Sequence, residues 1–196
     1  MLGIRLWRSI FIRTQKSPNP AFLQFYPGST VIEEGTIDYP SLRLAANCPL
    51  AVQLFQIEGV SRVFLSKDYV GIGKSQEKNW ENLKPLIFEV LMDYFSSGKS
   101  VISDVPQDED TKINDTDSED LAMIKEIIEY RVKPFVRDDG GDVRFLSFDE
   151  EAGVVTLEMR GSCAGCPSSA VTLKNGIEKM LTHYVPKVKK VEGVDA

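Results

Sequence analysis

Histidine is nearly missing from this chain of 196 residues: His183 is the only one. A catalytic site resting on several imidazoles is thereby excluded. Cysteine is almost as scarce, with Cys48, Cys163 and Cys166 making up the whole supply. Three cysteines cannot build a disulfide framework, and the odd one points to a reducing compartment. No apolar run approaches the roughly 20 residues that cross a bilayer, so no membrane is expected as a partner. A broad basic excess is missing too, since the net charge is −6. Between Ser103 and Asp120, eight acids stand against Lys112 alone, and the remainder of the chain is close to neutral. That balance gives no footprint for nucleic acid. At the other end acids are absent, the first being Glu33. Arg5, Arg8, Arg13 and Lys16 there accompany Leu2, Leu6, Trp7 and Ile10, the basic and acid-poor character of a mitochondrial targeting segment. An ordinary basic N-terminus is the alternative.

What is present divides into four stretches. Residues 1–10 form the basic leader and 11–99 a first α+β domain. There, Phe11–Thr14 and Phe22–Phe25 are strand-like on either side of Ser17-Pro18-Asn19-Pro20. Ser41–Gln56 has helical spacing that Pro49 should interrupt or kink. Val60–Leu65 and Tyr69–Gly73 suit a hairpin, and Trp80–Phe95 an amphipathic helix. Cys48, alone before a proline, reads as a packing cysteine. Residues 100–119 are acidic and poor in apolar side chains, the composition of a flexible, disordered linker. The spacing there does not fit a calcium loop. Residues 120–196 make a second small α+β domain of order α-β-β-α-β. Its first helix runs on to Phe135, and Asp138-Asp139-Gly140-Gly141-Asp142 forms a turn. The hairpin Val143–Phe148 and Gly153–Met159, a helix Ser168–Tyr184 and a closing strand Val188–Val194 follow.

Gly161-Ser162-Cys163-Ala164-Gly165-Cys166-Pro167-Ser168-Ser169 joins the hairpin to that helix and carries two of the three sulfurs. Small neighbours let both point at one object, and Pro167 suits a first helical turn. The helix start favours thiolate over thiol. A dithiol redox site is one reading of this spacing, although such pairs usually lie near a βαβ pattern, whereas this one follows an antiparallel hairpin. Structural zinc needs four ligands. His183 lies about 25 Å along the helix, too far to join the cysteines, and Cys48 belongs to the other domain. Two subunits meeting at this loop, exposed on each, would supply four thiolates. That suffices for bridging zinc or for an iron–sulfur cluster that can be assembled and released.

The motifs Arg137-Asp138-Asp139-Gly140-Gly141-Asp142, Gly161–Ser169 and Thr172–Glu178 closely resemble the C-terminal domain of the NifU-like (Nfu) iron–sulfur cluster proteins. Phe11–Gln15, Pro18-Asn19-Pro20, Phe25–Gly28, Ser41–Phe64 and Asp93–Gly98 resemble the N-terminal domain of the same family. The resemblance implies that Cys163 and Cys166 ligate a [4Fe-4S] cluster shared between subunits, with [2Fe-2S] as the alternative. It further implies a non-enzymatic carrier that forms a homodimer or higher oligomer. Such a carrier receives its cluster from upstream scaffold proteins and passes it to recipient apoproteins, those of lipoate synthesis and respiratory complexes among them. The mitochondrial matrix is the implied location, the cytoplasm its alternative. Around the cysteines, Asp138, Asp139 and Asp142 could attract a metal or partner, but the favoured reading is a structural turn that sets the glycines close to the cysteine loop. Ser162, Ser168 and Ser169 would either tune the cluster by hydrogen bonding or only start the helix. Lys174 would face the cluster or solvent.

Overall fold

The computed structural model of the chain describes residues 11–102, 109–164 and 167–195, except for the side chains of 167–170. It divides into two α+β units, one made of residues up to Gln15 with Leu23–Val105, the other of Lys16–Phe22 with Pro106–Ala196. The basic leader, residues 1–10, lies outside the described residues.

In the first unit a five-stranded sheet has the order β1-β2-β5-β4-β3. Its strands are β1 (Arg13–Lys16), β2 (Phe22–Tyr26), β3 (Ile37–Tyr39), β4 (Val60–Leu65) and β5 (Val70–Lys74). Helices α1 (Pro49–Phe55) and α2 (Trp80–Ser96) bury Leu50, Leu54, Ile87 and Leu91 in the same core as Phe25, Leu65 and Ile72. The expected helix over 41–56 is two pieces, a 3-10 turn at Leu42–Ala45 and then α1. Pro49 has no N–H to continue the first piece, and it is well placed to open the second. Cys48 caps α1: its sulfur accepts the Ala51 N–H at 3.4 Å, and its S–H donates to the Val101 carbonyl at 3.3 Å. Burial pushes that thiol's pKa up, as befits a packing residue. Three-residue β3, paired antiparallel with β4 through Tyr39 and Val63, is too short to announce itself by alternation.

The second unit begins with one helical rod in three parts. These are α3 (Glu119–Ile127), a π-helical turn (Ile128–Val132) and α4 (Lys133–Asp138). β6 (Gly141–Asp149) and β7 (Val154–Gly161) form the expected hairpin, and α5 (Pro167–Tyr184) returns to β8 (Lys190–Asp195). The sheet order is β6-β7-β8, with β7 and β8 parallel. Ile124, Ile128, Leu157 and Leu181 are its largest fully buried side chains. Because β7, α5 and β8 make a βαβ crossover, the cysteine loop does sit in such a unit. The topological objection to dithiol redox chemistry therefore falls.

Where it is described, the segment expected to be a disordered linker is packed against the two units. Residues 103–108 lie outside the described residues, while Val101 and Ile102 are buried in the first core. Residues 109–118 lie along the second unit as a strap. Asp110 accepts the Phe145 N–H at 2.6 Å and pairs with Lys133 at 2.8 Å, and Asp117 pairs with Lys125 at 2.6 Å. Thr111 donates to Glu129, which also pairs with Lys133. A charge count treats these acids as solvated. Lysines on the facing helix instead neutralise them, so ordering the segment is compensated by ion pairs rather than by apolar burial.

Candidate metal centre

Two glycine turns meet at Cys163. β7 ends at Gly161, whose φ of +61° lies in the left-handed region that glycine enters freely. The chain then folds tightly, with the Cys163 N–H donating to the Arg160 carbonyl and the Ala164 N–H to that of Gly161, each at 3.3 Å. On the neighbouring strand, α4 runs into Gly140 at φ +90°, and Gly141 opens β6 directly opposite Gly161. A Cβ at residue 141 would overlap the Cys163 sulfur and stand 2.9 Å from the Arg160 carbonyl oxygen and 3.1 Å from Ser162 Oγ. Glycine at 141 therefore leaves the hollow that Sγ occupies.

Ser162 ties the two turns together. Its hydroxyl donates to the Asp139 carbonyl at 2.9 Å, and its N–H donates to that of Gly140 at 3.2 Å. Its Oγ stands 4.0 Å from Cys163 Sγ. Within the same unit, the Asn19 amide donates to the Ser162 carbonyl at 3.0 Å. Of the expected turn acids, Asp142 is buried and accepts from Arg137 at 3.2 and 3.3 Å and from the Val143 N–H at 2.8 Å. Asp142 is thus part of the turn's framework. Asp139 differs: burial, then the charge of Asp138, pushes its carboxyl above the ordinary aspartate range.

Cys163 is placed at the expected loop but is only 6% exposed, because Sγ lies in the Gly141 hollow rather than on a protruding tip. Cys166 lies outside the described residues, as do the side chains of Ser168 and Ser169. Lys174, half-buried, adds a minor share to the field that keeps Glu192 ionised behind its main partner, Lys190. His183 stands at the far end of α5, edge-on to Tyr184. Among the described residues no three His, Cys, Asp or Glu side chains converge as a metal site.

What sequence reasoning missed is a groove of about 720 Å³ that Cys163 opens onto. Val132, Phe135 and Val136 line one side, and Leu173, Ile177 and Met180 of α5 line the other. Arg131 and Asp139 line it too, as do Pro18 and Asn19. Arg131 donates to the Tyr184 hydroxyl at 2.9 Å, with its guanidinium 4.9 Å from that ring. The sign available in the sequence is Phe135, an aromatic that the helical repeat does not need for its buried side. A hollow, groove and hydroxyl gathered around one sulfur suit a soft metal held by thiolate, with apolar walls limiting water.

Residues 124–192 match the family model of the NifU-like domain, and residues 12–98 that of the scaffold protein Nfu/NifU N-terminal domain. The chain is 51% identical to NifU-like protein 5, mitochondrial, of Arabidopsis thaliana over 94% of this chain and 68% of that protein. It is 47% identical to the NFU1 iron-sulfur cluster scaffold homolog, mitochondrial, of Drosophila sechellia over 95% of this chain and 66% of that protein. Thus it spans about two thirds of the length of these relatives. A solution structure of a NifU-like protein from Saccharomyces cerevisiae aligns with a TM-score of 0.45 at 27% identity, covering 49% of this chain and 87% of that one.

Proposed function

This chain belongs to the NifU-like family of iron–sulfur cluster scaffold proteins, and from that premise we propose that it carries a [4Fe-4S] cluster as cargo on Cys163 and Cys166. The observation that carries the reading is the Gly141 hollow, which leaves room for one sulfur beside a groove and for no side chain of residue 141. One chain supplies two thiolates where a cluster takes about four, so a second copy completes the set. The cargo passes to a recipient when the recipient's thiolates displace those of the carrier. That exchange needs no general base, and the protein is a carrier rather than an enzyme. The mitochondrial matrix is its proposed location, in keeping with the names of the relatives.

The test is anaerobic reconstitution with ferrous iron and sulfide. Wild-type protein is expected to take up both, with visible charge-transfer absorption and the Mössbauer signature of a [4Fe-4S] centre. Cys163→Ser is expected to lose the absorption band and at least nine-tenths of the bound iron while keeping its far-ultraviolet circular dichroism. A band unchanged in Cys163→Ser would sink the assignment. Zinc without acid-labile sulfide in the anaerobically purified protein would favour a bridging zinc site instead.

A further inference from the structure

The groove beside Cys163 is apolar along both walls, yet it carries two opposite charges. Among the described residues, Arg131 has the Tyr184 ring and hydroxyl as its partners, and the one charge felt by the Asp139 carboxyl is that of Asp138. Phe135, on the same wall, is 63% exposed, an aromatic surface of the kind that interfaces rather than water usually cover. The π-helical turn at Ile128–Val132 precedes Phe135 in the same rod, and its last residue, Val132, lines the groove.

We propose that this groove is the face on which a second copy of the chain seats, with Arg131 of each copy set against Asp139 of the other. The inference rests on the cluster-carrying role argued above. Because one chain brings at most two thiolates, the remaining ligands must arrive where Cys163 opens, and Cys163 opens onto this groove. A two-fold interface pairs one patch with itself, so residue i meets residue j twice. A patch bearing one free cation and one free anion at different positions is complementary to itself under that operation. A patch of a single sign would repel its own copy. Phe135 and Leu173 then supply the apolar contact, and the two reciprocal ion pairs set the register.

The full chain, reconstituted anaerobically with iron and sulfide, provides the test, with mass by light scattering and iron and sulfide per chain as readouts. Wild type is expected to hold one cluster per two copies. Arg131→Asp and Asp139→Arg are each expected to keep the wild-type circular dichroism and to lose ten-fold or more of the cluster-loaded dimer. The double variant restores the reciprocal pair with signs exchanged and is expected to regain most of it. Phe135→Ser is expected to weaken the dimer without any such rescue. Single variants as dimeric as wild type, or a double variant no better than the singles, would overturn the proposal. It would equally fall if the singles kept dimer and cargo but lost transfer to a recipient, an outcome that gives the groove to the recipient. Cluster held by a monomeric wild type overturns this inference and leaves the carrier role standing. A wild type that takes up no cluster brings down the carrier role itself.

Discussion

At residue 141 the absence of one methyl group decides whether Cys163 has room. Gly141 does not need glycine for its backbone angle, unlike Gly140 beside it at φ +90°. Its constraint is contact with Sγ, which no turn propensity expresses. In Gly141→Ala the added carbon meets a sulfur and the fixed Arg160 carbonyl, so the cysteine turn must move. Overpacking of this size costs about 1–3 kcal/mol, too little to unfold a well-built unit but enough to displace a ligand. Gly141→Ala is expected to keep its circular dichroism and to lose ten-fold or more of its iron and sulfide uptake. Gly176→Ala, with nothing within 4 Å of the added carbon, is the packing control for stability alone, because residue 176 itself lines the groove. Full loading of Gly141→Ala would show that the hollow is not required. The cysteine pair itself is plain in the sequence because it is local. The hollow is not, because it exists only once the β6–β7 register brings Gly141 opposite Gly161.

Among elements, the rod from Glu119 to Asp138 does the most positioning. Its apolar repeat is readable, with Ile124, Ile127, Ile128 and Val132 buried as helical spacing requires. The acidic strap against it is not, since it depends on partners distant in the chain, and no pattern of the sequence marks the π turn within it. The strap's chemistry has a pH signature. Burial alone would raise the Glu129 carboxyl, but the Thr111 hydrogen bond and the Lys133 charge hold it below the ordinary glutamate range. Asp117 is held low by the Asn114 N–H and then by Lys125. Carboxyls depressed in the folded state stabilise it above their unfolded pKa values of about 4, and that contribution drains away as pH falls through the lower folded values. Lys133 runs the other way. Its partners Asp110 and Glu129 outweigh burial and raise its pKa, so its contribution is lost only as pH rises above the ordinary lysine range of about 10.4. Urea midpoints for the second unit are therefore expected to be flat through neutrality and to fall below about pH 4. Glu129→Gln is expected to flatten part of that acid limb, and an unchanged limb would remove Glu129 from the account.

For the molecule as a whole, two α+β units were evident from composition and breakers, but the second begins earlier than its hydrophobic pattern suggests. Helical periodicity starts at about residue 119, whereas the ion pairs that complete the unit start at Asp110. Lys133 is 3% exposed at its side chain and stands at the opening of α4, the helix whose far end becomes Gly140 and the Cys163 hollow. Cutting the chain at residue 120 removes Asp110 and Asp117 together. That leaves Lys133 with Glu129 alone, Lys125 without its carboxylate and the Phe145 N–H without its acceptor. Removing one side of a buried pair costs about 3–5 kcal/mol, a large share of the stability of a unit this size. A fragment 109–196 keeps the strap but lacks Lys16–Phe22 and the Asn19 bond to Ser162, so it serves as the reference for the strap alone, with unfolding in urea followed by far-ultraviolet circular dichroism. A fragment 120–196 is expected to unfold at clearly lower urea, by about 3 kcal/mol, and to take up less iron and sulfide as α4 loosens. Equal midpoints for the two fragments would return residues 109–118 to the role of a linker. A lower midpoint for 120–196 with undiminished loading would separate the strap from the cysteine hollow.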